Sequence, residues 1–271
     1  MKYLFINLEN ATDRRAFVER NFGECSDRSI YCVPAVDIAS VEARGIEGDV
    51  RAGEKACYLS HLKALRTSLA HEEDVLIAED DVLFSKYSIG IIDNTRANLE
   101  ESGWDIIFSD LCIPGIMAML NFFFLARKAR KNSEHYYMEI KGDFQFAGAT
   151  SYIVHRNAKR KILDLMERER IDRPYDLALR DLIAMGKLKA YVIVPFATSL
   201  SKLGDSSQIQ ADSVAATEFV WNSFRRLVWQ GRDMAAMLED SRRLDAEFQN
   251  DENEVFSRVL KAALSEGFGQ K

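Results

Sequence analysis

The sequence predicts an α/β sandwich on a mostly parallel sheet, closed by a helical segment at its C-terminal end. Three observations carry this. Short β-branched and apolar runs alternate with helix-spaced segments from residue 3 to residue 194. The acidic run Glu79-Asp80-Asp81 follows directly on one of those short runs. From about residue 212 the chain loses both its β signal and its prolines.

Taken in order, residues 3–8 read as a strand, 12–22 as a helix and 30–36 as a strand. Residues 54–71 place Tyr58, Leu62, Leu65 and Leu69 at the spacing of a helix with one buried face. Residues 75–79 are apolar throughout up to the first acid, as in a strand buried on both faces. A helix over 91–102 precedes a strand over 104–108. A strand over 151–155 leads into a helix over 156–169, rich in Arg and Lys. A helix over 175–186 begins after Pro174, and a strand over 190–194 ends at Pro195. Beyond it come Phe219, Trp221, Phe224, Leu227 and Val228, then Met234, Met237, Leu238 and Leu244. Val255, Phe256, Val259, Leu260 and Leu264 continue the pattern. These are amphipathic helices, either capping the sheet or forming a contact surface. The expected division is an α/β domain over 1–211 and a helical extension over 212–271 packed on it.

Composition narrows the function. A chain of 271 residues buries one large core. Its net charge of −6 opposes general nucleic-acid binding. Cys25, Cys32, Cys57 and Cys112 show no paired spacing, so neither a zinc ribbon nor a disulfide framework is indicated. The first apolar stretch is too short for a signal peptide, and no run reaches the ~18 residues of a membrane span. The expected location is cytoplasmic, with reduced thiols.

The acidic run carries the chemistry. Carboxylates at the end of a buried strand repel one another and lose hydration, and a divalent cation offsets both. In an extended backbone Glu79 and Asp81 point to one face. Hard oxygens so placed suit Mg²⁺ or Mn²⁺ carried with substrate phosphates. A solvated acidic turn is the competing reading.

Gly53, Cys57-Tyr58-Leu59-Ser60-His61 and Leu76-Ile77-Ala78-Glu79-Asp80-Asp81-Val82 together resemble the glycosyltransferase 25 family. The N-terminal strand with Asn10 and Asp13-Arg14-Arg15, the segment Val33–Asp37, Ala147–Val154, Pro174-Tyr175-Asp176 and Ser206–Ile209 resemble the family in the same order. Lys55-Ala56 departs from its usual Ile-Gly, and 112–142 has no clear match. Such enzymes add sugars, often galactose, to bacterial lipooligosaccharide, and relatives glycosylate collagen. The resemblance implies the nucleotide-sugar transferase A-type (GT-A, Rossmann-like) fold, a UDP-sugar donor, Mn²⁺ or Mg²⁺, and a saccharide or lipid-linked saccharide acceptor.

Within that expectation, Asp81 is the first metal ligand, Glu79 the second, and Asp205 or Ser206 a late one. Asn7, Leu8 and Arg14 would grip the base. Asp80 would bond the ribose or join the metal, or else serve as a cap. Ser60 and His61 would contact the diphosphate or position the acidic segment. Asp176 is the base that deprotonates the acceptor, with an N-cap as its other reading; Asp143 and then Asp110 follow as alternatives. A non-catalytic nucleotide-binding scaffold and a metal-dependent phosphate-transferring enzyme stay open as different classes. The apolar run 113–126, followed by Arg127, Lys128, Arg130 and Lys131, is either core or a flexible acceptor-side loop contacting the inner membrane.

Overall fold

A computed structural model of the chain describes residues 1–205 and 215–247. The chain runs β1 (Lys2–Asn7), α1 (Thr12–Cys25), β2 (Ile30–Pro34), α2 (Ile38–Ala43), α3 (Ala52–Ser68), β3 (Val75–Glu79), β4 (Val82–Leu83), α4 (Ser88–Leu99), β5 (Ile106–Phe108) and α5 (Ile116–Asn132). It continues through β6 (Tyr136–Ile140), β7 (Ser151–Val154), α6 (Lys159–Met166), α7 (Tyr175–Ala184), β8 (Ala190–Val194), β9 (Ser199–Leu200), a 3-10 turn (Lys202–Asp205), α8 (Ala215–Val228) and α9 (Met234–Glu247).

Seven strands form one sheet in the order β2-β1-β3-β7-β5-β8-β6. β1 runs parallel to β2 and β3, and β5 parallel to β8. β7 runs against both β3 and β5, and β6 against β8. Five strands thus share one direction and two oppose it. The C-terminal ends of β1, β3 and β5 therefore meet the N-terminal end of β7 along one edge, where Asn7, Glu79 and the residues after Phe108 gather.

Alternation of side chains along the strands divides the interior. Leu4, Ile77, Phe108, Tyr152 and Val192 face a layer with residues of α3, α5, α6, α7 and α8. Tyr3, Phe5, Leu76, Ile107 and Ile153 face α1 and α4 through Val18, Phe22, Ile91 and Ile92. Each central strand is apolar on both faces because helices cover both. Phe219, Val220, Phe224, Leu227 and Val228 belong to the first layer, so α8 is built into the core.

The structure departs from the sequence reading in several places. α2, β4, β6 and β9 are not among the elements read from the sequence, whereas α5 answers to the core reading of the 113–126 run. β6 is an edge strand whose five side chains are mostly exposed or half-buried, so it lacks a buried strand's continuous apolar run. The basic helix over 156–169 contracts to Lys159–Met166, and Lys159 is buried with its ammonium on the carbonyls of Ser68 and His71. The flexible acceptor-side loop at 113–126 is instead helix α5. Met119, Phe122, Phe123, Ala126 and Ala129 bury one face of it in the core. Arg130 is not a headgroup-facing cation: its Nη2 donates to the carbonyls of Leu227, Val228 and Trp229 at 3.1, 2.7 and 2.8 Å. No helix among the described residues is long and apolar enough to cross a membrane. Val255 to Leu264 lie outside the described residues.

Candidate functional site

The acidic run turns as soon as it leaves β3. Asp80 and Asp81 are turn residues before β4, so strand alternation stops at Glu79. The expectation that Glu79 and Asp81 share a face through extended backbone does not hold; each of the three carboxylates meets different surroundings.

Glu79 Oε1 lies 3.1 Å from His61 Nε2. His61 is buried and stacks on the Tyr175 ring at 4.2 Å. Its Nδ1 is 3.0 Å from the Tyr152 hydroxyl, itself 2.9 Å from that of Tyr175. Burial pushes the Glu79 pKa up, but the His61 hydrogen bond and charge, then Arg225 and Arg14, carry it below its ordinary value. Glu79 is therefore ionised at neutral pH.

Asp80 is clamped. Asn7 Nδ2 and Arg14 Nη1 each donate to it at 2.8 Å. Asn7 also donates to the Ala11 carbonyl at 3.1 Å, and Arg14 to that of Leu203 at 2.8 Å. Asn7 and Arg14 thus brace the acidic turn. Leu8 contributes its carbonyl, which accepts the Ala11 amide at 2.9 Å.

Asp81 stands in contrast. Its carbonyl accepts the Ser201 amide at 2.8 Å, which ties the turn to the β4–β9 pair. Its Oδ1 is buried with no hydrogen-bond partner among the described residues. Burial, then the charges of Glu79 and Asp80, push its pKa up to about 7. A Cβ placed on Gly204 would come within 3.0 Å of Asp81 Oδ2, so the backbone at 204 closes against this carboxylate.

Two further groups join the edge. Asp110, after β5, is buried and accepts from Arg225 Nε at 3.1 Å and from Arg225 Nη2. Burial still holds its pKa above the ordinary value, and its Oδ1 has no hydrogen-bond partner among the described residues. Asp176 lies in the first turn of α7 but does not cap it; its Oδ2 accepts the Gly148 amide at 2.6 Å. Gly148 has φ +80° and lies against Cys112 and Arg225, which fastens Asp176 beside them. On α3, burial and then the charges of Glu79, Asp176 and Asp81 push the Cys57 thiol well up.

The remaining candidates differ in where they lie. Asp143 is exposed in the turn that leaves β6, where β6 pairs with the first residue of β8, at the end of the sheet opposite the acidic run. Asp205 accepts from Arg226 Nη2 at 2.6 Å, an ion pair that occupies one of its oxygens. Ser60 is structural: its hydroxyl accepts the Val36 amide at 2.8 Å and donates to the Ala56 carbonyl at 2.7 Å. Ser206 lies outside the described residues. The sequence reading missed Arg225, Tyr152, Tyr175 and Cys57 as parts of the site. The two tyrosines and Cys57 stood within quoted blocks. Arg225 had no signal, being one cation on an amphipathic helix.

The donors fit a hard divalent cation. Asp81 offers a buried oxygen with no proton donor facing it, and Glu79 is ionised close enough to act on it electrostatically. Residues 1–179 match the sequence profile of glycosyltransferase family 25, described as an LPS biosynthesis protein. The chain belongs to glycosyltransferase family 25. No curated protein matches it closely. The matched part of this family 25 protein holds the acidic run, His61, Tyr152, Asp110 and Asp176; Arg225 reaches the site from beyond it.

Proposed function

We propose that this family 25 protein is a metal-dependent transferase of the GT-A type. It moves galactose or a related hexose from a UDP-sugar to a saccharide acceptor in lipooligosaccharide or lipopolysaccharide synthesis. The observation that supports this reading is the unpartnered, buried Asp81 oxygen beside ionised Glu79, on the edge where the parallel strands end.

Asp81, with Glu79 second, would hold Mn²⁺ or Mg²⁺. Two carboxylates are too few for an all-protein cage, so a nucleotide diphosphate would supply the remaining ligands. An ion held there would supply charge neutralisation on the diphosphate leaving group. His61 holds Glu79 in place, and Asn7 and Arg14 hold Asp80, whose remaining lone pairs are available to the ribose. In an inverting transfer Asp176 takes the acceptor hydroxyl's proton on Oδ1, since Oδ2 is engaged by Gly148. The new glycosidic bond forms as UDP departs.

In this reading the enzyme works in the cytoplasm, peripheral to the inner membrane, on a lipid-linked acceptor. The supporting feature is the outer stripe of α5, with Met117 and Phe124 exposed by 67% and 51% and Lys128 and Lys131 farther along it.

The test is thermal melting with UDP. UDP raises the melting temperature more with Mn²⁺ than with chelator, and Asp81→Ala removes the difference. Equal stabilisation in chelator sinks the metal role. A panel of nucleotide sugars with Mn²⁺ then separates the classes: release of UDP supports transfer, release of pyrophosphate a phosphate-transferring enzyme, and binding without turnover a scaffold.

A further inference from the structure

Cys57 and His61 are four residues apart on α3, so they lie on one face of the helix. The end of β3 brings Glu79 to that face. The Cys57 thiol, a ring nitrogen of His61 and a Glu79 carboxylate oxygen all lie within 4.8 Å of one another. We propose that Cys57, His61 and Glu79 form a second metal site, for a soft divalent ion of the zinc class, beside the carboxylate of Asp81.

The ligand chemistry selects the ion. Thiolate and imidazole favour zinc over magnesium or manganese, whereas the Asp81 side of the edge offers oxygen alone. The 3.1 Å between His61 Nε2 and Glu79 Oε1 is close to the ~3.4 Å expected between two ligands of one tetrahedral zinc. The outer contacts are those of a metal-bound histidine. In the metal-bound tautomer Nδ1–H donates to Tyr152, which Tyr175 braces, and the Nε2–H that holds Glu79 without metal gives way to a lone pair on the ion. A cation between the two side chains then replaces that hydrogen bond. The ion has a way in: His61 is 1% exposed, but the Glu79 side chain is 32% exposed and Cys57 is half-buried. On binding, the sulfur–metal bond forms, the thiol proton leaves to solvent, and imidazole and carboxylate lend lone pairs with no change of oxidation state. Three protein ligands leave a fourth position for water.

The test uses the full chain, stripped with chelator and kept anaerobic, with Co²⁺ as the probe. One equivalent of Co²⁺ gives the near-ultraviolet charge-transfer band of a thiolate–cobalt bond, and one equivalent of Zn²⁺ abolishes it. Cys57→Ser loses the band, and in competition with a chromogenic chelator its zinc affinity falls at least ~10-fold, as does that of Glu79→Gln. Absence of the band in the unsubstituted protein overturns the inference. So does a band that survives in Cys57→Ser, which would assign the sulfur to Cys25, Cys32 or Cys112. The Mn²⁺-dependent melting shift with UDP is recorded on the same unsubstituted sample. Loss of the band with that shift intact sinks only the zinc-class site, and the reverse outcome sinks only the proposed transfer reaction.

Discussion

A carboxylate with a buried oxygen and no donor is costly to keep ionised, and Asp81 answers by holding its proton up to a pKa of about 7. The consequence for stability has a definite sign. The folded value lies above the ordinary 3.8, so the folded state binds the proton more tightly than the unfolded chain. Asp81's contribution is complete below about pH 4 and is lost as pH rises through 7. In metal-free protein, urea midpoints measured in steps from pH 4 to pH 8 should therefore fall more steeply than in Asp81→Asn. Equal slopes for the two proteins would count against this environment. Asp176 carries the proposed base role; its Oδ2 accepts the Gly148 amide, and it is not a helix cap. Asp176→Asn is expected to lower turnover by ~10²-fold or more while UDP still raises the melting temperature with Mn²⁺. Near-normal turnover would remove Asp176 from the chemistry, and suspicion would pass to Asp110, because Asp143 stands apart.

Among the elements, α5 shows how one helix serves two environments. Its inner face packs Phe122 and Phe123 into the core, and Arg130 closes the end of α8 by donating to three carbonyls. Its outer stripe pairs exposed apolar side chains with cations. Under the proposed membrane contact, Lys128 and Lys131 would each contribute on the order of 1 kcal/mol to binding an anionic surface. The expected result is flotation with anionic liposomes at low salt, reduced by salt. Changing Lys128 and Lys131 to Gln should weaken flotation several-fold and leave UDP binding intact. Arg130 is left alone, because losing it would unsatisfy the end of α8 and confuse lipid binding with unfolding. A double variant that floats as well as its parent would exclude these lysines.

For the whole molecule, α8 shares a core layer with the sheet, which predicts a single cooperative unit. Phe219, Val220, Phe224, Leu227 and Val228 share a core layer with β3, β5, β7 and β8. Arg225 is the buried counter-charge of Asp110. Removing one partner of a buried pair costs about 3–5 kcal/mol, a large part of a domain's stability. A fragment ending at residue 211 is therefore expected to lack near-ultraviolet circular dichroism and a cooperative urea transition. A fragment that unfolds cooperatively would show that residues 1–211 stand alone as a domain.

Local pattern determined much of this protein. The alternating runs placed the central strands, because a strand covered by helices on both faces must be apolar along its length. The helix of α3 followed from its 3.6-residue period, and the acidic run stood out because such residues rarely follow a buried strand without a reason. The Ser60-His61 and Glu79-Asp80-Asp81 blocks were enough to suggest the family. Tertiary structure decided the rest. Strand direction depends on how connections cross the sheet, so the reversal of β7 was invisible locally. The inner and outer faces of α5 separate only once it lies on the core. The roles of the polar residues depend on partners far away in the chain: His61 on Glu79 and Tyr152, Asp80 on Asn7 and Arg14, Asp110 on Arg225. A side chain's charge state and its freedom to act are set by what folding brings against it, and those neighbours are separated by 18 to 115 residues.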